Sequence, residues 1–448
     1  MNNETKNVAS VADDTKAIEA VRNGLVKNDD GKVRQTIENA MYVLNNDPML
    51  KDSIKRNELS CKTDIVKDMD WRRRSKTFTD TDFNNIMLRM EKKYGIIRDK
   101  NIKRAIDIVG NNNHYHPIID KLESLEWDGK ERLRHLFPRY LGTPETDYTY
   151  EATRLMMMGA AHRVFYPGIK FEYMICLVGG QGVGKSSFFS LLAMENEWFS
   201  DDIRKLDDEN VFRKIQGHWI IEMAEMLATC NARSVEEIKS FLSRQSETYK
   251  VPYETHPEDR PRQCIFVGTS NNADFLPFDR SGNRRFIPLF VDRNNAEHHP
   301  MDDEEETLEY IEQCWAEIMD KFHRGVETSL VFDKRLLNEL IEMQKMCMPE
   351  DTKVGIIGKF LEDTSEEYVC STMIFQKAFN HEGEEPKTYE SREIGSIMRN
   401  EFADEWEPVS THRFVEYGPQ RGWKRKNTKV DENGFMVIPD DAELPFNL

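Results

Sequence analysis

The clearest chemical signal in this sequence is a run of glycines that ends in a lysine and two serines. The run fits the spacing GxxxxGK[ST] and reads Gly179, Gly180, Gln181, Gly182, Val183, Gly184, Lys185, Ser186, followed by Ser187. Such glycines let backbone N–H groups turn toward phosphate oxygens at the N-terminus of a helix. Lys185 would neutralise the β- and γ-phosphates, and the Ser186 hydroxyl would bind Mg²⁺. Segment 179–187 is therefore a predicted site for a nucleotide and its metal ion.

Hydrolysis of the nucleotide needs further groups: a metal-binding carboxylate, a residue that orients water and a positive charge. The apolar run 218–222 ends in Glu222. A carboxylate at the C-terminal end of a neighbouring parallel strand would point toward the glycine run. We predict that Glu222 completes the metal site with Ser186. Glu225 is a candidate for polarising the attacking water, with a surface position on a helix as the alternative.

An amide and two arginines follow later in the chain. Asn271 comes directly after the apolar run 263–270 and would hold the attacking water by hydrogen bonds, although asparagines also commonly begin loops. Arg284 and Arg285 come just before the next apolar run. One of them would be an arginine finger that reaches the nucleotide of a neighbouring subunit, and surface salt bridging is the alternative. The sequence does not separate the two arginines.

Short apolar runs alternate with helical patterns in the part of the chain that carries these residues. The runs suited to buried strands are 171–178, 218–223, 263–270 and 285–291. Strands that alternate with helices indicate an α/β fold with a largely parallel sheet covered on both faces. Helical spacing dominates before this core, and three helices with a hairpin follow it, which suggests a small winged-helix-like domain.

These patterns divide the chain into five predicted segments. They are a flexible N-terminus (1–30), a helical N-terminal domain (31–168), a nucleotide-binding core (169–350), a winged-helix-like domain (351–429) and an acidic tail (430–448). The 448 residues are 39% hydrophobic, enough for real cores, and the net charge is −18. A uniformly basic protein is excluded, so any nucleic acid would bind to local basic patches.

The sequence shows no signal for a membrane or an oxidising compartment. No apolar run approaches the roughly 20 residues needed to cross a bilayer. The N-terminus carries no secretory pattern, so we expect a cytoplasmic protein. The seven cysteines are scattered and none forms a CxxC pair, which argues against structural zinc and a disulfide framework.

Several ordered motifs make residues 170–290 resemble the virulence-associated protein E family of phages and mobile genetic islands. The motifs are GGQGVGKSSFF (179–189), WF (198–199), HWIIEMAEM (218–226), IKSFLS (238–243), YKVPY (249–253), PRQCIFVGTSN (261–271) and GNRRF (282–286). That family is similar to superfamily 3 helicases, a branch of the AAA+ ATPases. The resemblance implies a P-loop AAA+-like core, ATP with Mg²⁺ as cofactors, and a homo-oligomeric ring, such as a hexamer, in the cytoplasm of a bacterial host.

The resemblance is incomplete at two points. The family usually carries adjacent acids after the second strand, whereas here only Glu222 follows directly and Glu225 is displaced. This places the catalytic role of Glu225 in doubt. In addition, residues 33–165 lack the carboxylate cluster that a primase would need. The chain therefore resembles a replication motor without a primase.

The resemblance also implies a hairpin that grips single-stranded DNA between the second and third motifs. The basic and aromatic residues of that interval are Lys239, Tyr249, Lys250, Tyr253, Arg260 and Arg262. A second basic patch, with six bases and one acid between 411 and 429, would be a wing against duplex DNA. Its candidate contacts are Arg413, Arg421, Trp423, Lys424 and Arg425. Core packing or solvated faces are the alternatives for both groups.

We therefore predict an ATP-dependent DNA helicase or translocase of a phage or mobile element, active in DNA replication. The alternative is a DNA-binding assembly or interference module that uses ATP without unwinding and acts beside other replication proteins. A P-loop kinase for a small molecule is disfavoured, because no lid with clustered arginines is visible and the basic hairpin at 411–429 would have no purpose.

Overall fold

The computed structural model describes residues 15–203, 206, 211–223, 232–249, 258–276, 283–349 and 352–426. The chain forms two compact units. The first comprises Met1–Pro277 with Asn283–Met348, and the second comprises Phe278–Gly282 with Pro349–Leu448. The predicted boundary between 350 and 351 lies next to the start of the main segment of the second unit. Among the described residues, no helix combines the length and apolarity that a membrane crossing requires.

The N-terminal part of the first unit combines helices with a small sheet. The helices span 15–23, Ile37–Asn46, Asp80–Tyr94 and Asp99–Asn112, and the strands are β1 (Ile54–Asn57), β2 (Lys62–Ile65) and β3 (His114–Tyr115), in the order β2-β1-β3. The prediction of a flexible segment 1–30 is wrong for residues 15–30. Val21 and Leu25 are buried in the same hydrophobic cluster as Val43. Apolar side chains at helical spacing thus anchor a segment whose composition is polar.

Three further helices belong to the core of the first unit: Pro117–Glu123, Leu136–Leu141 and Asp147–Phe165. The longest of them, Asp147–Phe165, is buried around nearly its whole circumference, so other elements cover it on all sides. It shares one hydrophobic cluster with Ile175 and Leu289 of the central sheet. The predicted domain boundary at 168 therefore runs through a continuous core instead of separating two cores.

A five-stranded parallel sheet forms the centre of the first unit, which confirms the predicted α/β class. Its strands are β4 (Met174–Val178), β5 (Phe199–Ser200), β6 (Ile220–Glu222), β9 (Ile265–Ser270) and β10 (Phe286–Phe290), in the order β10-β4-β9-β6-β5. Four of these strands lie in the predicted apolar runs, and the two-residue strand β5 was not predicted. The order places β9 between β4 and β6, so the C-terminal ends of these three strands lie at one edge.

Helices and a hairpin complete the first unit. The helices are Lys185–Leu192, Val211–Ile215, Ala232–Leu242, Glu304–Arg324 and Leu337–Met346. The hairpin pairs β7 (Ser246–Tyr249) with β8 (Glu258–Pro261) in an antiparallel ladder. It lies in the interval in which a DNA hairpin is predicted, and its turn, 250–257, lies outside the described residues.

The second unit has three helices and a three-stranded antiparallel sheet. The helices are Thr352–Asp363, Ser371–Ala378 and Thr388–Asn400, and the strands are β11 (Tyr368–Cys370), β12 (Trp406–Phe414) and β13 (Gly418–Arg425), in the order β11-β13-β12. Gly422 is needed for this pairing, because a Cβ there would lie 2.3 Å from the carbonyl oxygen of Val369. The three helices and the hairpin occur where the sequence predicts them, and the winged-helix assignment stays a prediction.

Candidate functional site

The glycine run forms a tight loop between β4 and the helix Lys185–Leu192. Gly182 and Gly184 have φ angles of 83° and 92°, in the left-handed region that side chains disfavour. Gly184 also lies against the segment after β10, since a Cβ there would approach His299 Nε2 to 2.9 Å. A Cβ on Gly180, in contrast, would meet open space. The loop is therefore held in shape on one side and open on the other.

Lys185 begins the helix after the glycine loop and turns back over the loop. Its Nζ donates to the carbonyl oxygens of Gly179 and Gly180, both at 2.7 Å, and to Asn271 Oδ1 at 2.8 Å. Burial lowers the pKa of Lys185, and the nearby Glu222 carboxylate opposes that shift. Gly179 N–H donates to the Ser270 carbonyl at 3.1 Å, which places Asn271 beside the loop. The structure thus brings Lys185 and Asn271 together beside the glycine loop.

Glu222 is the acid of the same cluster and is buried at the end of β6. Its Oε1 accepts hydrogen bonds from Ser186 Oγ at 2.7 Å and from the Thr269 hydroxyl. Among the residues that the structure describes, none forms a hydrogen bond with its buried Oε2. Burial raises the pKa of Glu222, and the hydrogen bonds from Thr269 and Ser186 oppose the increase.

The position of Glu222 corrects one expectation. The sequence analysis placed this carboxylate on a strand next to the glycine-loop strand, but β9 lies between β4 and β6. Glu222 still reaches Ser186, because Thr269 on β9 bridges the intervening strand with its hydroxyl. Sequence analysis did not identify Thr269 as part of the site, although a polar residue near the end of the apolar run 263–270 is a usable signal.

These groups suit a metal-bound triphosphate. The exposed side of the loop presents Gly180, Gln181 and Gly182 to solvent, and Ser186 is exposed beside them. A buried carboxylate oxygen without a hydrogen-bond partner is costly unless a cation or proton satisfies it. Ser186 and Glu222 are the hydroxyl and carboxylate ligands that Mg²⁺ prefers. The described residues therefore fit a nucleotide with Mg²⁺ at this edge.

The two candidate arginine fingers differ in their surroundings. Both pair with Glu172, a residue that sequence analysis missed because the pairing depends on how the strands align. Arg285 lies 3.2 Å from Glu172 through Nη2 and its side chain is 20% exposed. Arg284 is 3.7 Å from the same carboxylate and its side chain is 73% exposed. Glu225, the candidate water-polarising residue, lies outside the described residues.

The predicted DNA contacts near the hairpin are mostly enclosed or undescribed. Lys239 is buried and pairs with Glu236 at 3.1 Å. Arg262 donates to the Phe241 carbonyl at 2.6 Å and to the Glu247 carboxylate, and its side chain is 1% exposed. These two predictions are corrected, because an enclosed and paired cation stabilises the fold and is not presented to a phosphate.

Of the four remaining predicted hairpin contacts, the structure describes the side chain of one. Arg260 is half-buried on β8. Lys250, Tyr253 and the side chain of Tyr249 lie outside the described residues. The predicted grip on single-stranded DNA therefore stays a prediction for this segment.

The predicted basic patch of the second unit separates into buried and exposed residues. Trp423 is buried in the core, and Arg425 donates to the carbonyls of Leu361 and Thr364. Both are corrected to packing roles, because each faces the interior of the unit. Lys424 is half-buried, 3.6 Å from Glu367. Arg413 and Arg421 are exposed, as a contact with DNA requires.

Comparison with known proteins gives one family and one group of similar structures. Residues 122–348, just over half of the chain, match the sequence model of the virulence-associated protein E-like domain. No curated protein matches the chain. An apo structure of the NrS-1 C-terminal region aligns over 83% of this chain and 96% of its own, with 12% identity and a TM-score of 0.47. Another, of residues 305–718, covers 88% and 100%, with 13% identity and a TM-score of 0.48.

Proposed function

The chain belongs to the virulence-associated protein E-like family, and on that premise we propose that it is an ATP-dependent DNA helicase or translocase. It would be a superfamily 3-like P-loop AAA+ ATPase that serves the DNA replication of a phage or mobile element. The observation that carries the proposal is the contact between Ser186 and Glu222, whose second carboxylate oxygen is buried and has no hydrogen-bond partner within the described part of the chain. A hydroxyl that follows a glycine loop and a carboxylate from another strand are two of the ligands with which a P-loop ATPase holds Mg²⁺.

Each residue of the sheet edge has a distinct role in this proposal. Backbone N–H groups of the glycine loop bind the phosphates, and Lys185 exchanges its carbonyl partners for phosphate oxygens. Ser186 and Glu222 would hold Mg²⁺, which supplies charge neutralisation to the phosphates. Asn271 orients the attacking water beside Lys185. Arg284, the more exposed of the arginine pair, would complete the site of a neighbouring subunit.

The DNA-binding part of the proposal depends on assembly. Subunits would form a homo-oligomeric ring, such as a hexamer, whose β7–β8 hairpins face single-stranded DNA. Tyr249, Lys250 and Tyr253 would contact bases and phosphates in a sequence-tolerant manner. The second unit would bind duplex DNA as a winged helix, and other replication proteins would act on the same DNA in the host cytoplasm.

The first experiment measures nucleotide binding and ATPase activity of the full chain with and without single-stranded DNA. Lys185→Ala should reduce DNA-stimulated ATP hydrolysis by at least about 100-fold, because it removes the cation that neutralises the phosphates. Lys92→Ala, an exposed lysine on the helix Asp80–Tyr94, is the matched control and should behave like the wild type. Full DNA-stimulated activity in Lys185→Ala would overturn the proposal.

A second experiment separates a motor from an assembly module. A forked duplex with a fluorescent strand is incubated with the protein and either ATP or a non-hydrolysable analogue. The motor displaces the strand only with ATP, because unwinding needs repeated hydrolysis. Assembly on DNA that is equal with ATP and with the analogue, without displacement of the strand, would instead support the function without unwinding.

A further inference from the structure

The second unit contains three arginines without acidic partners around one groove. The helix Thr388–Asn400 supplies Arg392 and Arg399, and β13 supplies Arg421. All three are exposed, and within the described chain none of them forms an ion pair with a carboxylate. The groove has a volume of about 620 Å³, and among the residues that the structure describes no Asp or Glu lines it. In a chain of net charge −18, a groove whose described lining is cationic and free of acids indicates an anionic ligand.

The other groove residues add hydrogen-bond donors. Ser391 and Ser410 contribute hydroxyls on the helix side and the strand side of the groove. Trp423 also lines it but is only 7% exposed and belongs to the hydrophobic core of the unit. Hydroxyl and guanidinium donors require acceptors, and the oxygens of an anion supply them. Cations and hydroxyls together match the oxygen-rich surface of a phosphate group.

A glycine gives one of the arginines its position. Gly395 is buried on the groove side of the helix, one turn before Arg399. A Cβ at Gly395 would lie 3.3 Å from Arg399 Nη1 and 3.8 Å from the Trp423 ring. The guanidinium therefore lies over the bare backbone of Gly395, beside the indole. This close packing indicates a positioned cation and not a freely moving surface side chain.

We propose that this groove binds the phosphate backbone of duplex DNA through Arg392, Arg399 and Arg421. The proposal deepens the proposed function and rests on it, since a translocase that unwinds DNA must meet a duplex ahead of the separated strand. Sequence-tolerant binding of single strands relies on exposed aromatic rings that stack on bases. Within the described lining of the groove, Trp423 is the one aromatic residue and it is buried, so phosphate contacts must provide the binding.

The groove differs from the basic patch predicted from the sequence. Only Arg421 and Trp423 belong to both, and the buried Trp423 keeps its packing role. Arg413 is exposed on β12 but does not line the groove. Arg413 is therefore a matched control, since it has the same side chain, the same unit and similar exposure outside the groove.

The test measures binding of the full chain to a fluorescein-labelled 20-base-pair duplex by anisotropy between about 50 and 200 mM salt. Arg392→Gln, Arg399→Gln and Arg421→Gln should each weaken binding several-fold at low salt. The triple variant should reduce the slope of log Kd against log salt by about 2.7, because each lost phosphate contact removes about 0.9. Arg413→Gln should stay within about twofold of the wild type. Replacement of the three arginines by lysine should retain most of the slope, because lysine keeps the charge.

Three results would overturn the proposal. The first is a folded triple variant, checked by its thermal melting, that binds the duplex with wild-type affinity and slope. The second is a larger loss with Arg413→Gln than with any groove variant. The third is displacement of the duplex by a phosphoserine peptide at a similar concentration of phosphate groups.

The same proteins distinguish this proposal from the proposed function. The triple variant should keep nucleotide binding and ATPase stimulation by single-stranded DNA, because its changes lie outside the first unit. A wild-type protein that binds duplex DNA through the groove but never hydrolyses ATP would end the motor hypothesis and leave the groove intact. ATP hydrolysis by the wild type, together with groove variants that bind duplex DNA like the wild type, would overturn the groove proposal. It would leave the motor hypothesis intact.

Discussion

Two buried charge clusters in the first unit show how similar residues take opposite roles. At the edge of the sheet, Lys185 and Glu222 are buried but lie beside an exposed glycine loop, and one Glu222 oxygen lacks a hydrogen-bond partner. At the base of the hairpin, the Arg262 guanidinium pairs with Glu247 and packs on the rings of Phe241 and Phe266. The first cluster lies beside an opening, and the second is enclosed by the protein.

The difference shows that enclosure by the protein, and not residue type, separates a residue of a binding site from a residue that stabilises the fold. A cation over aromatic rings and against a carboxylate has exchanged water for protein partners, so it stabilises the fold. A buried carboxylate oxygen without a hydrogen bond has a desolvation cost. When it lies next to an opening, a ligand can enter and relieve that cost. Substitutions at the sheet edge are therefore expected to change ATPase activity. Substitutions at the hairpin base are expected to change the free energy of unfolding.

The largest effect is expected at Arg284, the exposed arginine before β10. If it is the arginine finger, Arg284→Ala should lower the DNA-stimulated kcat by about 10³-fold or more with little change in melting temperature. Arg285→Ala is the control, because this half-buried neighbour mainly pairs with Glu172. Steady-state ATPase rates and thermal melting of both variants measure the difference.

Mixing experiments test whether Arg284 acts on a neighbouring subunit. Arg284→Ala mixed with Lys185→Ala should recover part of the activity, because one subunit keeps the glycine loop and the other keeps the arginine. No recovery in stable mixed oligomers, or a larger loss of kcat in Arg285→Ala, would contradict this assignment.

The enclosed cluster is tested by removing Arg262. Arg262→Met should lower the free energy of unfolding by about 3–5 kcal/mol, because Glu247 would be left buried without its main partner. Urea unfolding followed by circular dichroism measures this change. Arg244→Met is the matched control, since Arg244 lies 3.6 Å from the same Glu247 but its side chain is 44% exposed. It should cost about 1 kcal/mol or less.

The opposite result would break the comparison between the two clusters. If Arg262→Met unfolds like the wild type but loses stimulation by single-stranded DNA, Arg262 is a DNA contact. The hairpin base would then be a binding surface, as the sequence analysis predicted, in spite of its burial.

At the open cluster, Glu222→Gln should separate binding from hydrolysis. The amide oxygen can still accept from Ser186 and Thr269, so the loop should keep its shape. It loses the negative charge that would hold Mg²⁺, and ATPase activity should fall by about 100-fold. Nucleotide binding measured with a fluorescent ATP analogue should fall far less. Equal losses of binding and hydrolysis would show that Glu222 supports the loop and not the reaction.

The part of the fold and site that the sequence predicts is the part set by local pattern. Apolar runs gave four of the five central strands, and the spacing from Gly179 to Ser186 gave the loop. Spacing also places Asn271 at the correct strand end. These features depend on neighbours in the chain, so periodicity and glycine conformations reveal them.

The features that the sequence could not predict depend on partners distant in the chain. Arg262 and Arg413 look alike in the sequence, and only the fold shows that one is enclosed with Glu247 and the other exposed. The strand order is likewise a tertiary property. It places β9 between β4 and β6, and so brings the Thr269 hydroxyl to the Glu222 carboxylate. The cationic groove joins Arg399 of a helix to Arg421 of a strand, 22 positions later in the chain, and the basic segment 411–429 contains only one of its three arginines.

The smallest expected effect is a pH dependence of stability from Glu222. Burial raises the pKa of Glu222 in the folded protein above its ordinary value of 4.5, so the folded state holds this proton more tightly than the unfolded state. The free energy of unfolding should therefore decrease as the pH rises from about 4.5 through the raised folded value. Glu222→Gln lacks this titration, and should become more stable than the wild type at neutral pH.

Urea unfolding of both proteins without nucleotide, at several pH values between 4.5 and 8, isolates the contribution of Glu222. All other titrating groups are shared, so they cancel when the two proteins are compared. The difference should grow with pH, and it should shrink when ATP and Mg²⁺ are present, because the cation satisfies the carboxylate only in the wild type. A constant difference, or a variant less stable than the wild type at neutral pH, would mean that the ionised Glu222 is already satisfied within the protein. The sheet edge would then be as complete as the hairpin base.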